Sequence, residues 1–259
     1  MKAAVFAMIK NEHLYLEDWI QHNLKLGFDE IWLAEDYDSK SHKSITDKYP
    51  QVHYMDLDRM GIHQSYRKIK IQGWAFNFMS KFLKWKGFNW LANIDIDEYI
   101  ELDKGKTLKE VLGEYSDYKG LFLAWKMYGA SGRIKCTDLP PEVAYPIPSP
   151  YIYKREWSGK MLVNLDRITN QDKYINIHNN FGGVDIYKVE VEAPPLKRKE
   201  PKYWKKIWIN HYFTKSFEDW LFRLKRGNMN NSLRKMDTFF QYNPDMRSKR
   251  AELMKKYGL

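Results

Sequence analysis

Through the first half of this chain short apolar runs alternate with longer segments of helical period, the pattern of βα units laid around a mainly parallel sheet. Ala3–Ile9 reads as a first buried strand. Asn11 is placed to cap a following helix, Glu12 suits the positive end of its dipole, and Leu16, Ile20 and Leu24 share one face until Gly27 stops it. Residues 30–34 and 51–57 give two more strands. Between residues 64 and 84, Ile69, Phe76 and Leu83 recur every seven positions, which predicts a long helix against the sheet. A fourth strand, residues 90–94, runs straight into Asp95-Ile96-Asp97, and residues 120–125 make a further one. Beyond that the pattern loosens. Residues 140–150 hold five prolines in eleven positions, which argues against both helix and central strand there. Residues 217–225 read as helix and residues 244–257 as a basic terminal helix.

The length, 259 residues, suits one large α/β domain with a C-terminal lobe. Aromatics make up 16% of the chain, which excludes a disordered class and leaves rings over for stacking on sugars or bases as well as for the core. Cys136 is the single cysteine, so an internal disulfide and a cysteine-rich zinc site are both excluded and a reducing, cytoplasmic setting fits. No run approaches the roughly 20 apolar residues that span a bilayer. Residues 3–9 lack the flanks of a signal peptide. The formal charge of +10 is concentrated late in the chain and favours anionic partners; Lys249, Arg250, Lys255 and Lys256 are placed to hold the protein at an anionic membrane surface.

Ligands of open α/β sheets bind at the carboxyl ends of the strands. The loops carrying Lys10-Asn11-Glu12, Asp36-Tyr37-Asp38 and Asp95-Ile96-Asp97 are expected to open on one such edge. Two aspartates one residue apart, where the backbone turns after a strand, are suited to a hard divalent cation, which in turn grips a diphosphate and neutralises its charge. Trp125 is suited to stacking on the apolar face of a sugar. A general base would have to be a carboxylate or imidazole in reach; His178, Asp166 and Asp185 are the candidates.

Four blocks in order carry a resemblance over roughly residues 3–230. Lys10-Asn11-Glu12 with Leu16-Glu17-Asp18-Trp19-Ile20, Leu26-Gly27-Phe28-Asp29-Glu30-Ile31 and Asp36-Tyr37-Asp38-Ser39 resembles the opening of the family 2-like and family 92-like glycosyltransferases of bacterial surface polysaccharides. Asn93-Ile94-Asp95-Ile96-Asp97-Glu98-Tyr99-Ile100 is similar to their metal segment, with Tyr99 in place of Phe. Trp125-Lys126-Met127-Tyr128-Gly129-Ala130-Ser131-Gly132 is similar to their acceptor-side turn, and Asn210-His211-Tyr212-Phe213-Thr214-Lys215-Ser216 with Lys225-Arg226-Gly227 to their late signature, with altered spacing at its end.

The resemblance implies a GT-A-type, Rossmann-like sheet flanked by helices, with residues 1–135 as the nucleotide-sugar half and residues 136–259 as the acceptor-side and basic lobe. It implies inverting transfer of a sugar from a nucleotide-diphosphate donor, best a UDP-sugar, to a saccharide or lipid-linked glycan. Lys10, Glu12, Asp36 and Asp38 would contact the nucleoside and Lys215 the diphosphate. Asp97 would bind the metal directly, Asp95 the ribose or the metal through water, and His211 would complete the shell, which favours Mn²⁺ over Mg²⁺.

Three rivals fit less well. An Asp-x-Asp phosphatase needs small residues after the pair, where this chain has Glu98-Tyr99. A sugar nucleotidyltransferase needs a glycine-rich loop after its first strand, where Lys10-Asn11-Glu12-His13 has no glycine. A basic nucleic-acid-binding protein leaves acidic strand ends facing a phosphate backbone. No nucleic-acid partner is expected.

Overall fold

A computed structural model describes residues 1–36, 39–57, 71–150, 158–169, 172, 182–191, 204–226 and 235–259. Its strands are β1 (Ala3–Ile9), β2 (Glu30–Glu35), β3 (Val52–Asp56), β4 (Trp90–Asn93), β5 (Glu98–Leu102), β6 (Gly120–Met127), β7 (Gly159–Asn164) and β8 (Ile207–His211). The helices are α1 (Leu16–Leu26), α2 (Lys43–Thr46), α3 (Ile71–Trp85), α4 (Leu108–Gly113), α5 (Pro141–Ala144), α6 (Phe217–Arg226), α7 (Met236–Tyr242) and α8 (Arg250–Lys256).

The strands form one eight-stranded sheet in the order β3-β2-β1-β4-β7-β6-β8-β5. Its first four strands are parallel, as the βα pattern requires. β7 then enters antiparallel to β4, and β6 runs antiparallel to β7. The expected mainly parallel, Rossmann-like sheet is therefore corrected to a mixed one. β7 is buried at every residue like its parallel neighbours, so its run of residues does not reveal that it enters antiparallel.

The chain divides into two compact units, Met1–Lys126 with Lys154–Asn210, and Met127–Tyr153 with His211–Leu259. In the first, every residue of β1 is buried. Helix α1 buries Leu16, Trp19, Ile20 and Asn23, and ends at Gly27, whose φ of 113° and N–H to the carbonyls of Asn23 and Leu24 make a left-handed cap. Asn11 does not cap it. The helix starts after Tyr15, and Asn11, at φ 51°, instead braces two loops: its Oδ1 accepts the Lys40 N–H at 3.0 Å and its own N–H donates to Ser39 Oγ at 3.1 Å. The expected helix over residues 64–84 is present as α3 from Ile71, its earlier part lying outside the described residues.

The second unit has an aromatic core. Phe217, Trp220, Phe239, Phe240 and Tyr145 are all buried, with Phe217 edge-on to Phe239 at 5.2 Å. Much of the aromatic excess is consumed in this packing. Ser216 and Asp219 form a reciprocal N-terminal cap on α6, the Ser216 N–H donating to Asp219 Oδ2 and the Asp219 N–H to Ser216 Oγ, each at 3.1 Å. Within the proline-rich stretch Pro141–Ala144 does form a helical turn, because proline in the first turn of a helix gives up no needed hydrogen bond. Cys136 is a free thiol that burial pushes up to about 11, which keeps it protonated and unreactive.

Candidate functional site

Parallel pairing of β2, β1 and β4 puts their carboxyl ends on one sheet edge. The antiparallel entry of β7 brings its first residues, Gly159 and Lys160, to that edge, and Trp125, near the end of β6, arrives with them, its N–H donating to the Ser158 carbonyl at 3.0 Å. Lys10, Glu12, Asp36, Asp95, Asp97 and Trp125 are thereby gathered on one side of the first unit's sheet.

The centre is the turn between β4 and β5. It is closed twice: the Glu98 N–H donates to the Asp95 carbonyl at 3.0 Å, and the Asp95 N–H donates to Glu98 Oε2 at 2.8 Å. Helix α1 holds the strand that follows. Trp19 Nε1 donates to the Glu98 carbonyl at 3.0 Å, His22 Nε2 to the Ile100 carbonyl at 2.8 Å, and Tyr99 Oη to Asp18 Oδ2 at 2.9 Å. These bonds fix the direction in which the two aspartates leave the sheet.

Beneath the turn lies Lys160, fully buried, with Nζ 3.1 Å from Asp95 Oδ2 and 3.5 Å from Glu98 Oε2. Burial works against its charge, but Asp95 and Glu98 outweigh it and hold the ammonium above its ordinary range. Glu98 is also fully buried. Desolvation lifts its carboxyl well above the usual carboxylate range; Lys160 opposes that lift, and Asp95 and Asp97 add to it. Gln72, from the start of α3, donates to Asp95 Oδ1 at 3.3 Å. The Asp97 side chain is buried, whereas that of Asp95 is 42% exposed.

The donor set suits a hard divalent cation. Asp95 and Asp97 offer carboxylate oxygens beside the single buried ammonium of Lys160. At this turn Glu98 Oε1 and both polar atoms of the Asn93 amide are buried without a hydrogen-bond partner among the described residues. Among the described residues no three His, Cys, Asp or Glu side chains gather into a ready-made metal shell.

A second network braces the ends of β1 and β2. His42 is fully buried; its Nδ1–H donates to Glu35 Oε1 at 2.6 Å and its Nε2 accepts the Glu12 N–H at 2.9 Å. A backbone N–H can only donate, so the ring is the neutral Nδ1–H tautomer. Burial pushes its pKa down despite Glu35. Beside it Lys10 Nζ stands 3.5 Å from Asp36 Oδ2.

Two of the three base candidates, Asp166 and Asp185, lie away from this edge. Asp166 follows the far end of β7, where Oδ2 accepts from Asn89 Nδ2 at 2.8 Å. Asp185 is buried, and its Oδ1 accepts the N–H groups of Tyr187 at 2.8 Å and Val189 at 3.1 Å, the work of a turn cap. It lies next to Val184, which bridges to Leu121 near the start of β6. His178 and Asp38 lie outside the described residues. His211 and Lys215 belong to the second unit. There the His211 ring stands edge-on to Phe213 at 5.5 Å and its carbonyl accepts the Tyr128 N–H at 2.9 Å, while Lys215 is buried at a φ of 52°.

Sequence reasoning missed Lys160, Gln72 and the His42–Glu35 pair. Lys160 had a signal: it is a lone charge in the apolar strand Gly159–Asn164, and lysine is almost never fully buried unless paired.

No family model matches the chain. Over 204 residues it is 26% identical to a glycosyltransferase family 92 protein of rice, Oryza sativa subsp. japonica. The match covers 72% of this chain and 33% of the rice protein, so it spans about a third of that relative's length.

Proposed function

We propose that the protein is a metal-dependent glycosyltransferase of GT-A type that moves a sugar from a nucleotide-diphosphate donor, a UDP-sugar, to a saccharide or lipid-linked glycan with inversion. The observation that carries this reading is the Asp95–Glu98 turn at the carboxyl edge of the parallel strands, cross-braced by α1 and underpinned by buried Lys160. The likeness to the rice glycosyltransferase supports the reaction class. It gives no support to a bacterial polysaccharide setting, since that relative is a plant protein.

In this reading Asp97 and Asp95 hold Mn²⁺ or Mg²⁺. The cation supplies positive charge to the departing diphosphate. Lys160 and Gln72 fix the Asp95 carboxylate by one oxygen each, so that little reorganisation is needed when the donor arrives. Lys10 and Asp36, at the ends of β1 and β2, face the nucleoside. Trp125 offers its ring to the acceptor.

Thermal unfolding with UDP tests the reading. Binding to the native state alone adds about 2.7 kcal/mol at a hundredfold excess over Kd. The expected result is stabilisation by UDP with Mn²⁺ or Mg²⁺ and none in EDTA. Equal stabilisation in EDTA would remove the metal, and no stabilisation by any nucleoside diphosphate would remove the donor site.

A further inference from the structure

Helix α3 is packed with one face buried and the opposite face aromatic. Ala75, Phe76, Met79, Ser80 and Leu83 are buried. On the outer face Trp74, Phe78, Phe82 and Trp85 follow one another at spacings of four, four and three, the separations that align side chains along a helix. Their rings form a continuous row: Trp74 to Phe78 at 5.7 Å, Phe78 to Phe82 at 6.1 Å and Phe82 to Trp85 at 6.2 Å. Trp74, Phe78 and Trp85 are 45%, 47% and 82% exposed. A surface helix normally turns charge to water there, and a contiguous exposed apolar patch marks an interaction site.

The charge carried by α3 itself is of one sign. Lys81 is exposed on the same stripe, between Phe78 and Trp85. Lys86 is exposed just past the helix end, with its ammonium 5.7 Å from the Phe82 ring centre and 4.9 Å from that of Trp32. Along α3 there is no carboxylate. Aromatic rings flanked by lysines are the composition that settles at the boundary of headgroups and acyl chains, the rings entering the apolar layer and the ammonium groups reaching anionic headgroups. Two copies of the chain pairing through this stripe about a two-fold axis would bring together two α3 helices whose only charges are lysines, with no carboxylate on either to offset them.

We infer that the α3 aromatic–lysine stripe docks the protein on an anionic lipid bilayer, lying in its interface without crossing it. The surface is separate from the donor chemistry and stands or falls without it. It also moves the membrane contact away from the basic C-terminus expected from sequence, where the Arg250 guanidinium is already engaged by Asp237 and lies over the Phe240 ring.

The test is co-sedimentation of the full chain with phosphatidylcholine vesicles carrying about 30 mol% phosphatidylglycerol, against vesicles of phosphatidylcholine alone, at low and high salt. The wild type is expected to pellet with the anionic vesicles, less so as salt rises. The variant Trp74→Ser/Phe78→Ser/Trp85→Ser should bind at least about tenfold more weakly while keeping a cooperative thermal transition, because the packed face of α3 is untouched. Lys81→Gln/Lys86→Gln should weaken binding to anionic vesicles and flatten its salt dependence, while Lys255→Gln/Lys256→Gln leaves it intact. Failure of the wild type to pellet, or wild-type binding by the triple variant, would overturn the inference. So would light scattering that shows a dimer which the triple variant turns into a monomer, since the stripe would then belong to a second copy.

Discussion

Lys160 Nζ lies 3.1 Å from Asp95 Oδ2, joining two residues 65 positions apart in the chain, and it does so from a fully buried position. Removing one partner of a buried ion pair leaves the other uncompensated, typically at a cost of about 3–5 kcal/mol. Asp95 is partly exposed here, so Lys160→Met is expected near the lower end, roughly 3 kcal/mol, read as a lower denaturation midpoint in urea at an unchanged slope. Mn²⁺ should stabilise this variant more than the wild type, because the acidic turn has lost its own cation. A variant as stable as wild type would show that the pair contributes nothing net.

Asp97→Asn keeps the shape of the side chain and removes one negative charge from the proposed cation site. Folding should change by less than about 1 kcal/mol, while donor hydrolysis or sugar transfer falls on the order of a hundredfold or more. Wild-type turnover by Asp97→Asn would place the metal elsewhere.

Stability should carry the signature of His42. Its folded-state pKa lies below the ordinary value of 6.5, chiefly because burial disfavours the charged ring. The unfolded chain therefore takes up the proton first, and stability, fully present above about pH 6.5, is lost as pH falls from there toward the folded pKa. The melting temperature of the wild type should drop over this window, and that of His42→Asn should drop less. Parallel curves would mean that the ring titrates alike in both states.

Gly159 has no room for a side chain. A Cβ added there would stand 1.9 Å from the Leu123 carbonyl oxygen and 2.7 Å from the Phe122 ring, so β7 would have to move away from β6. Gly159→Ala is expected to cost about 1–3 kcal/mol or more and, by shifting its neighbour Lys160, to weaken metal-dependent nucleotide binding as well. Unchanged stability would mean that the strand edge yields freely.

Much of the first unit could be read in the chain because β1, β2 and β4 are contiguous apolar runs, each ending in charge, and parallel strands buried on both faces look like that. β5 escaped notice because it opens with Glu98, which belongs to the acidic motif, and β8 because it holds Asn210 and His211 among apolar residues. The acidic turn was legible from Asp95 and Asp97 alone. Its support was not, since Lys160, Trp19 and His22 reach the turn and the strand beyond it from positions whose proximity only the sheet order creates. Asp166 and Asp185 looked equally available as bases until strand direction sent them away from that edge.

The antiparallel entry of β7 between β4 and β6 also sets an order of events during synthesis. By the time Asp95, Asp97 and Glu98 have left the ribosome, β1, β2, β3 and β4 are complete, yet β4 still has an open edge and the acidic turn has no ammonium beneath it. Both deficits are met at once, by the six residues Gly159–Asn164. A nascent chain halted before that hexapeptide holds nearly all of the proposed donor-binding residues of its first unit in a half-sheet that repels itself at its working end. Synthesis must therefore run some sixty residues past the acidic motif before the motif can settle.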